Sequence, residues 1–338
     1  MVAVSGSAFF YSCKTTKVSE SIENSTAKIE WENITPQSAE DAVLFNELWG
    51  YVMIKRESEF NARIPVSDVG YFVNAVDVYS RLLNVPERSE HFLDYGGKVH
   101  LVTSCDSRSQ THLLLSEKNI RDRIIDDLIS ASATYEGLQV DWELVPKKDK
   151  EFFLEFLSEL KNKLGGKILS VAVPARLKTL ENDAYDYSDI AKIADRIIVM
   201  AYDEHWSTSK PGPVASTDWC KRICEYARTV ISEEKLVMGA SFYGRAWSSD
   251  KEGGRAYYSS DLVNLKARHK IDEDKILRDE GGIPNFTFTK KIEITCWYDD
   301  IASLKTRCKM YRDSSVKKLS FWRVGQEDIL FWEHIGLE

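Results

Sequence analysis

Three polar side chains recur at alternate positions in the stretch Glu136-Gly137-Leu138-Gln139-Val140-Asp141-Trp142-Glu143-Leu144. On an extended strand, successive side chains point to opposite faces. Leu138, Val140, Trp142 and Leu144 then share one face, and Gln139, Asp141 and Glu143 share the other. A polar file inside a buried strand is costly unless its members pair. Asp141 and Glu143 stand about 7 Å apart by backbone rise, and closer through their side chains. The inner Asp141 is expected to ionise more easily. Its charge and the apolar walls would raise the pKa of Glu143 and keep it protonated as a general acid near neutral pH. The competing reading of the same file is a structural polar plug.

Such a file needs a scaffold that covers the apolar face and encloses the polar one. Eight short apolar segments are strand candidates: Trp49–Ile54, Val69–Val73, Lys98–Ser104, Leu138–Leu144, Ile168–Val173, Arg196–Tyr202, Lys235–Phe242 and Lys317–Trp322. Most are apolar on both faces, as parallel strands under helices are. Amphipathic runs lie between them. Lys148–Leu164 places Phe152, Phe153, Phe156, Leu157, Leu160 and Leu164 on one face and stops at Gly165-Gly166. Asn119–Ala133, Ser216–Ile231 and Asp299–Tyr311 show the same pattern, the second starting on good cap residues.

Strand–helix alternation predicts an α/β fold with a parallel sheet, and eight strands favour a closed (β/α)8 TIM barrel. One barrel of ~250 residues plus insertions accounts for the chain length. The polar file then faces the barrel interior, with Glu143 at the strand's C-terminal end, where barrel enzymes keep their chemistry. The predicted barrel covers residues 41–338. A small α+β insertion, about 248–294, separates strands seven and eight; it either walls a groove or is decoration.

The net charge of −8 argues against a nucleic-acid partner. No apolar window is long enough for a transmembrane helix. Residues 1–40 read as a leader and flexible tether. Val2 to Phe10 followed by Cys13 resembles a trimmed export signal ending in a lipoprotein-type cysteine, with a lipid anchor at Cys13. The alternative is a disordered leader with an incidental Cys. The first reading predicts an exported protein of the cell envelope or extracellular space. Six scattered cysteines show no disulfide framework, and no His pair stands at ligand spacing, so neither a metal nor another cofactor is expected.

The segment Glu136–Glu143 resembles the family 18 glycoside hydrolase motif Asp-Gly-x-Asp-x-Asp-x-Glu. Met200-Ala201-Tyr202-Asp203 resembles the Met-x-Tyr-Asp that ends the family's sixth strand. Lys235–Gly239 with Phe242-Tyr243-Gly244-Arg245 resembles its seventh. Ser320-Phe321-Trp322 falls where the family keeps a floor tryptophan, and Cys296–Asp300 resembles the end of its insertion. The resemblance runs from about residue 45 to 330. Pro174 and the Trp206 loop resemble the bacterial branch that includes spore-cortex-lytic and other cell-wall N-acetylglucosaminidases.

The resemblance implies hydrolysis of a β-linked N-acetylglucosamine polysaccharide, peptidoglycan or chitin-like, with the substrate's own N-acetyl oxygen as nucleophile. Glu143 would protonate the departing oxygen and then activate water, and Asp141 would hold the acetamide N–H. Tyr202 would donate to the acetamide, Asp203 would bond the sugar, and Trp322 would be the floor beneath it. Arg245 and Tyr243 would support the site, and Trp206 would stack at the rim. Glu136 and Gln139 depart from the motif's first two aspartates. A glutamine can hydrogen-bond Asp141 but cannot store a proton, which implies a slower enzyme or an altered pH profile. The family's glycine pair after the third strand is also missing beyond Ser104. Two alternatives remain open here: a glycan-binding protein without catalysis, and a barrel enzyme of different chemistry.

Overall fold

The computed structural model describes residues 34–72, 76, 92–250, 253–289 and 292–338. Cys13, most of the expected tether and Val73 lie outside the described residues. Eight parallel strands close into a barrel: Glu47–Met53, Asp68–Phe72, Lys98–Ser104, Gly137–Asp141, Ile168–Pro174, Arg196–Met200, Leu236–Ser241 and Lys318–Trp322. Each pairs with its sequence neighbour, and the last closes on the first through Lys318 opposite Glu47. The predicted TIM barrel is therefore the observed fold.

The strands are buried on both faces, as their composition requires. All residues of Asp68–Phe72, Gly137–Asp141 and Leu236–Ser241 are buried. Outward residues such as Leu138 and Val140 join the main core with Phe153, Phe156, Leu157 and Leu160 of the helix Lys150–Lys163. Phe152, expected on that face, is 39% exposed, and the Arg121 guanidinium lies over its ring. The helix Thr217–Val230 starts on Ser216, whose hydroxyl accepts from Trp219 N. The helix Ile301–Asp313 starts on a capping box formed by Asp300 and Ser303.

Inside the barrel, side chains stack in layers. Trp49, Ile198 and Val237 pack in one cluster, and the Trp49 ring lies 4.3 Å from that of His100. A side-chain carbon at Gly137 would meet His100 Nδ1 at 2.2 Å, so glycine is what lets this histidine enter the layer. Tyr51, Phe72 and Val102 form another cluster, with Trp322 packed on it.

Two sequence-based bounds shift. Ile34 is buried, and Gln37 N and Ala39 N donate to the carbonyls of Trp332 and Glu333. The packed unit thus begins at or before residue 34, not at 41. The connection between strands seven and eight holds an antiparallel sheet with strands Tyr243–Ser248, Gly254–Tyr258, Leu277–Arg278, Pro284–Thr289 and Glu293–Trp297, together with the helix Ser259–Arg268. The expected limits of 248 and 294 cut through its two central strands. Only Phe242 separates the sheet from the seventh barrel strand, so no composition break marks the boundary. Among the described residues, no helix is long and apolar enough to cross a membrane.

Candidate active site

The fourth barrel strand ends at Asp141, so Trp142 and Glu143 sit on the turn beyond it rather than on the strand. That turn is held from both sides. Trp142 stacks on Phe156 at 4.6 Å. The Tyr185 hydroxyl donates to the Trp142 carbonyl at 2.6 Å and accepts from Val145 N at 2.8 Å. Arg176 fixes the Tyr185 segment in turn. Its Nε lies 2.6 Å from Asp183 Oδ2, and Asp183 Oδ1 accepts from Tyr185 N at 3.3 Å. Tyr185 was not singled out from sequence, because it belongs to a loop without periodic signal.

Asp141 is 8% exposed, and its Oδ1 is buried with no hydrogen-bond partner among the described residues. Burial first, and then the charges of Glu143 and Asp106, hold its carboxyl well above the usual range. Glu143 is pushed up to about 7, by burial and then by Asp106 and Asp203. Burial and neighbouring like charges disfavour the charged form of both carboxyls, and Asp141 Oδ1 has gained no donor to offset its lost water, an upward push that the expectation of an easily ionised Asp141 left out.

Gln139 does not turn to Asp141. Its Nε2 donates to the Tyr51 hydroxyl at 2.9 Å, and Ser170 Oγ donates to its Oε1 at 3.4 Å. The amide is thus absorbed by strands one and five, one layer below the acids. Glu136 accepts from Val99 N at 2.7 Å, a backbone-holding role that a longer acid can fill.

Tyr202 and Asp203 follow the sixth strand. The Tyr202 ring fits against the seventh strand because position 239 is glycine; a side-chain carbon there would lie 3.1 Å from Tyr202 Cε1. Burial, then the Asp141 charge, raises the Tyr202 hydroxyl well above its usual range, so it stays a hydrogen-bond donor. Asp203 takes a left-handed conformation, φ 61°, which costs about 1 kcal/mol for a residue with a side chain. Its Oδ1 accepts from Tyr243 Oη at 2.6 Å and from Arg245 Nε and Nη2 at 3.0 and 2.7 Å. Both donors lie on the first strand of the inserted sheet, two residues apart and so on one face.

Trp322 closes the eighth strand, its ring edge-on to Phe72 at 4.9 Å and tilted against Tyr51 at 5.6 Å. The next residue, Arg323, donates to Tyr258 Oη at 2.5 Å and also pairs with Glu59. Trp206 stands on the loop after Asp203, where its indole N–H donates to Thr208 at 2.7 Å. None of its hydrogen bonds reaches the carboxylates.

Sequence reasoning missed Asp106, whose charge acts on both Asp141 and Glu143. The signal available was its position just past the third strand, in the loop where the family's glycine pair is absent. Among the described residues, no group of three or more His, Cys, Asp or Glu side chains could hold a metal ion. The arrangement brings a raised acid near a buried acceptor, with a buried tyrosine within reach of their charge.

Residues 97–327 match the model of the family described as glycosyl hydrolases family 18. The chain is 30% identical to the uncharacterized glycosylase YvbX of Bacillus subtilis (strain 168) over 234 residues, 66% of this chain and 67% of that protein. It is 22% identical to the cortical fragment-lytic enzyme of Bacillus anthracis over 230 residues, 65% of this chain but 54% of that one. The matches thus span between about half and two-thirds of these relatives' lengths. The fold is similar to the crystal structure of the Bacillus cereus spore cortex-lytic enzyme SleL, with a TM-score of 0.78 and 18% identity over 88% of this chain and 76% of that one.

Proposed function

This chain belongs to glycosyl hydrolase family 18, and from that premise we propose that it hydrolyses β-1,4-linked N-acetylglucosamine glycans by a retaining, substrate-assisted route. The observation that carries the proposal is Asp141 Oδ1, a buried acceptor without a donor, two residues from an acid raised to about 7. Leaving such an acceptor unmet costs about 1–3 kcal/mol. The acetamide N–H of a bound sugar is a donor of the right kind. It favours the ionised form of Asp141, whose proton passes to water as the sugar binds.

The steps follow from that pairing. Asp141 orients the acetamide through its N–H, and the Tyr202 hydroxyl donates to its oxygen. That oxygen forms a bond to the anomeric carbon while the bond to the leaving sugar breaks. Glu143 gives its proton to the departing oxygen. The tethered nucleophile supplies a large effective molarity. The Asp141 carboxylate faces the positive charge that develops on the oxazolinium ring. Glu143, now ionised, takes a proton from water as that water attacks the anomeric carbon and reopens the ring. Two inversions return the original configuration. Trp322 floors the sugar, and Asp203 bonds it while Tyr243 and Arg245 hold Asp203. Trp206 is a rim residue.

The kinship to enzymes named for cortex lysis favours peptidoglycan over chitin. Such a substrate lies outside the cytoplasm, so the proposal includes export. A second reading, glycan binding with little turnover, is favoured by Gln139, which is held by Tyr51 and Ser170 and cannot store a proton.

Glu143→Gln separates the two. It should reduce release of reducing ends from N-acetylglucosamine oligomers and peptidoglycan by about 10²–10⁴-fold while leaving binding within a few fold. Proton NMR of the first product should show the β anomer. Wild-type protein that binds both glycans and cleaves neither would establish the binding reading instead.

A further inference from the structure

The loop after the third barrel strand brings a third carboxyl to the mouth of the barrel. Ser104 is the register partner of Asp141 on adjacent parallel strands. Asp106 and Glu143 are each two residues further along, on chains that start about 4.8 Å apart. Cys105, between Ser104 and Asp106, turns outward, and Thr111 Oγ1 donates to its sulfur at 3.3 Å. Asp106 lies close enough to both Asp141 and Glu143 for its charge to act on each. Asp106 is exposed, whereas Asp141 is buried beneath it.

Asp106, Asp141, Glu143 and Asp203 thus form one cluster of carboxyls past the C-terminal ends of the strands, with Asp106 acting on Asp141 and Glu143 and Asp203 on Glu143. Arg245 answers only Asp203, at 2.7 Å. The buried Asp141 Oδ1, without a partner among the described residues, marks this cluster as one that receives a ligand bearing a donor. Among the described residues, Asp106 makes no hydrogen bond that would neutralise it.

We propose that Asp106 is a specificity-determining residue that selects glycans by charge. It turns away chains with a free carboxylate on the sugar next to the cleaved N-acetylglucosamine. It admits chains whose neighbouring sugar is neutral or carries an ammonium. The inference rests on the hydrolase reading and narrows its substrate. Muramic acid makes the distinction concrete: its lactyl group ends in a carboxylate when free and in a neutral amide when substituted. A carboxylate brought within several ångströms of Asp106 meets repulsion that the partly dry mouth screens poorly.

The test uses the full chain and three probes: N-acetylglucosamine oligosaccharides, peptide-stripped peptidoglycan strands with free lactyl carboxylates, and the same strands converted to methylamides. Wild type should favour the methylamide over the free acid by about five- to tenfold in kcat/KM at low salt. Asp106→Asn should bring that ratio to within about twofold, and about 0.5 M salt should do the same to wild type. Asp106→Glu keeps the charge and should keep the preference, which separates charge from folding damage. An equal ratio in wild type and Asp106→Asn overturns the inference, as does a wild type without preference. Turnover of the neutral oligosaccharides in those cases leaves the hydrolase reading standing. Absence of turnover on all three probes removes that reading and the inference with it.

Discussion

At the N-terminal end of the barrel, Asp68 lies 2.8 Å from His100 Nε2 and Glu47 lies 2.8 Å from Arg196 Nη2. At the C-terminal end, on and just past the fourth strand, Asp141 and Glu143 have no salt-bridge partner among the described residues. Burial alone would push Asp68 up, but the hydrogen bond and charge of His100, with the Ser67 hydrogen bond and the Lys98 charge, outweigh it and hold the carboxyl below its usual range. Asp141 and Glu143 are driven the other way. One scaffold therefore holds the Asp68 carboxyl low at one end and pushes the Asp141 and Glu143 carboxyls up at the other. The difference lies in the partners supplied, not in the depth of burial. On the proposed function, the lower end serves stability and the upper end gives up stability for reactivity.

The comparison breaks most visibly at Asp68. Asp68→Ala removes one member of a fully buried pair and should lower the unfolding free energy by about 3–5 kcal/mol in urea titrations. The folded fraction should keep its kcat. A loss below about 1 kcal/mol would mean that the lower pair is not structural.

The upper end should respond with the opposite sign. A carboxyl whose folded pKa is raised loses stability as pH climbs from its unfolded value toward its folded one. For Glu143 that window runs from about 4.5 to about 7. Glu143→Gln should therefore be more stable than wild type at pH 8, by up to about 3 kcal/mol, with no gain at pH 4. Asp68, with its lowered pKa, contributes stability that disappears only as pH falls below the usual carboxylate range. Equal stability of the two proteins at pH 8 would show that the acid is not strained.

The same raised acid sharpens the contrast in the rate. The protonated donor is present below about pH 7 and is lost above it, so kcat/KM should fall on a basic limb centred near 7. A limb below pH 5 would remove Glu143 as the proton donor. The smallest effect concerns the turn that carries it. Tyr185→Phe deletes the hydrogen bonds to Trp142 O and Val145 N. It should lower kcat severalfold and stability by about 1–2 kcal/mol. An unchanged kcat would show that the turn holds its shape without the clamp.

The barrel was legible because its evidence is repeated. Eight apolar strands and the amphipathic helices between them all require the same layering, and a misplaced strand end changes little. The polar file was legible because alternation on one strand fixes a shared face for Gln139 and Asp141. What it could not give was the partners. Tyr51 and Ser170 reach Gln139 from strands one and five, and nothing in the local pattern announces them. Asp106 was hidden for the same reason, since a loop carries no period. The upward push on Asp141 was hidden because local sequence shows neighbours along the chain but not the donors that burial withholds. The edges of the inserted sheet were misjudged because Tyr243–Ser248 continues almost without interruption from a barrel strand of similar composition.

That continuity bears on how this scaffold can be recombined. Tyr243 and Arg245 belong by topology to the inserted sheet, yet their side chains close on Asp203 at the end of a barrel strand. The seam between the two modules therefore runs through the pocket and not around it. A cassette exchanged between homologues at residues 248 and 294 would carry away the rest of the inserted sheet and leave the two grips behind. One cut at residue 242 would take the grips with it, and the recipient's Asp203 would then depend on whether the donor cassette brings the same pair. Chimeras should be designed around that contact before any loop is chosen for its length.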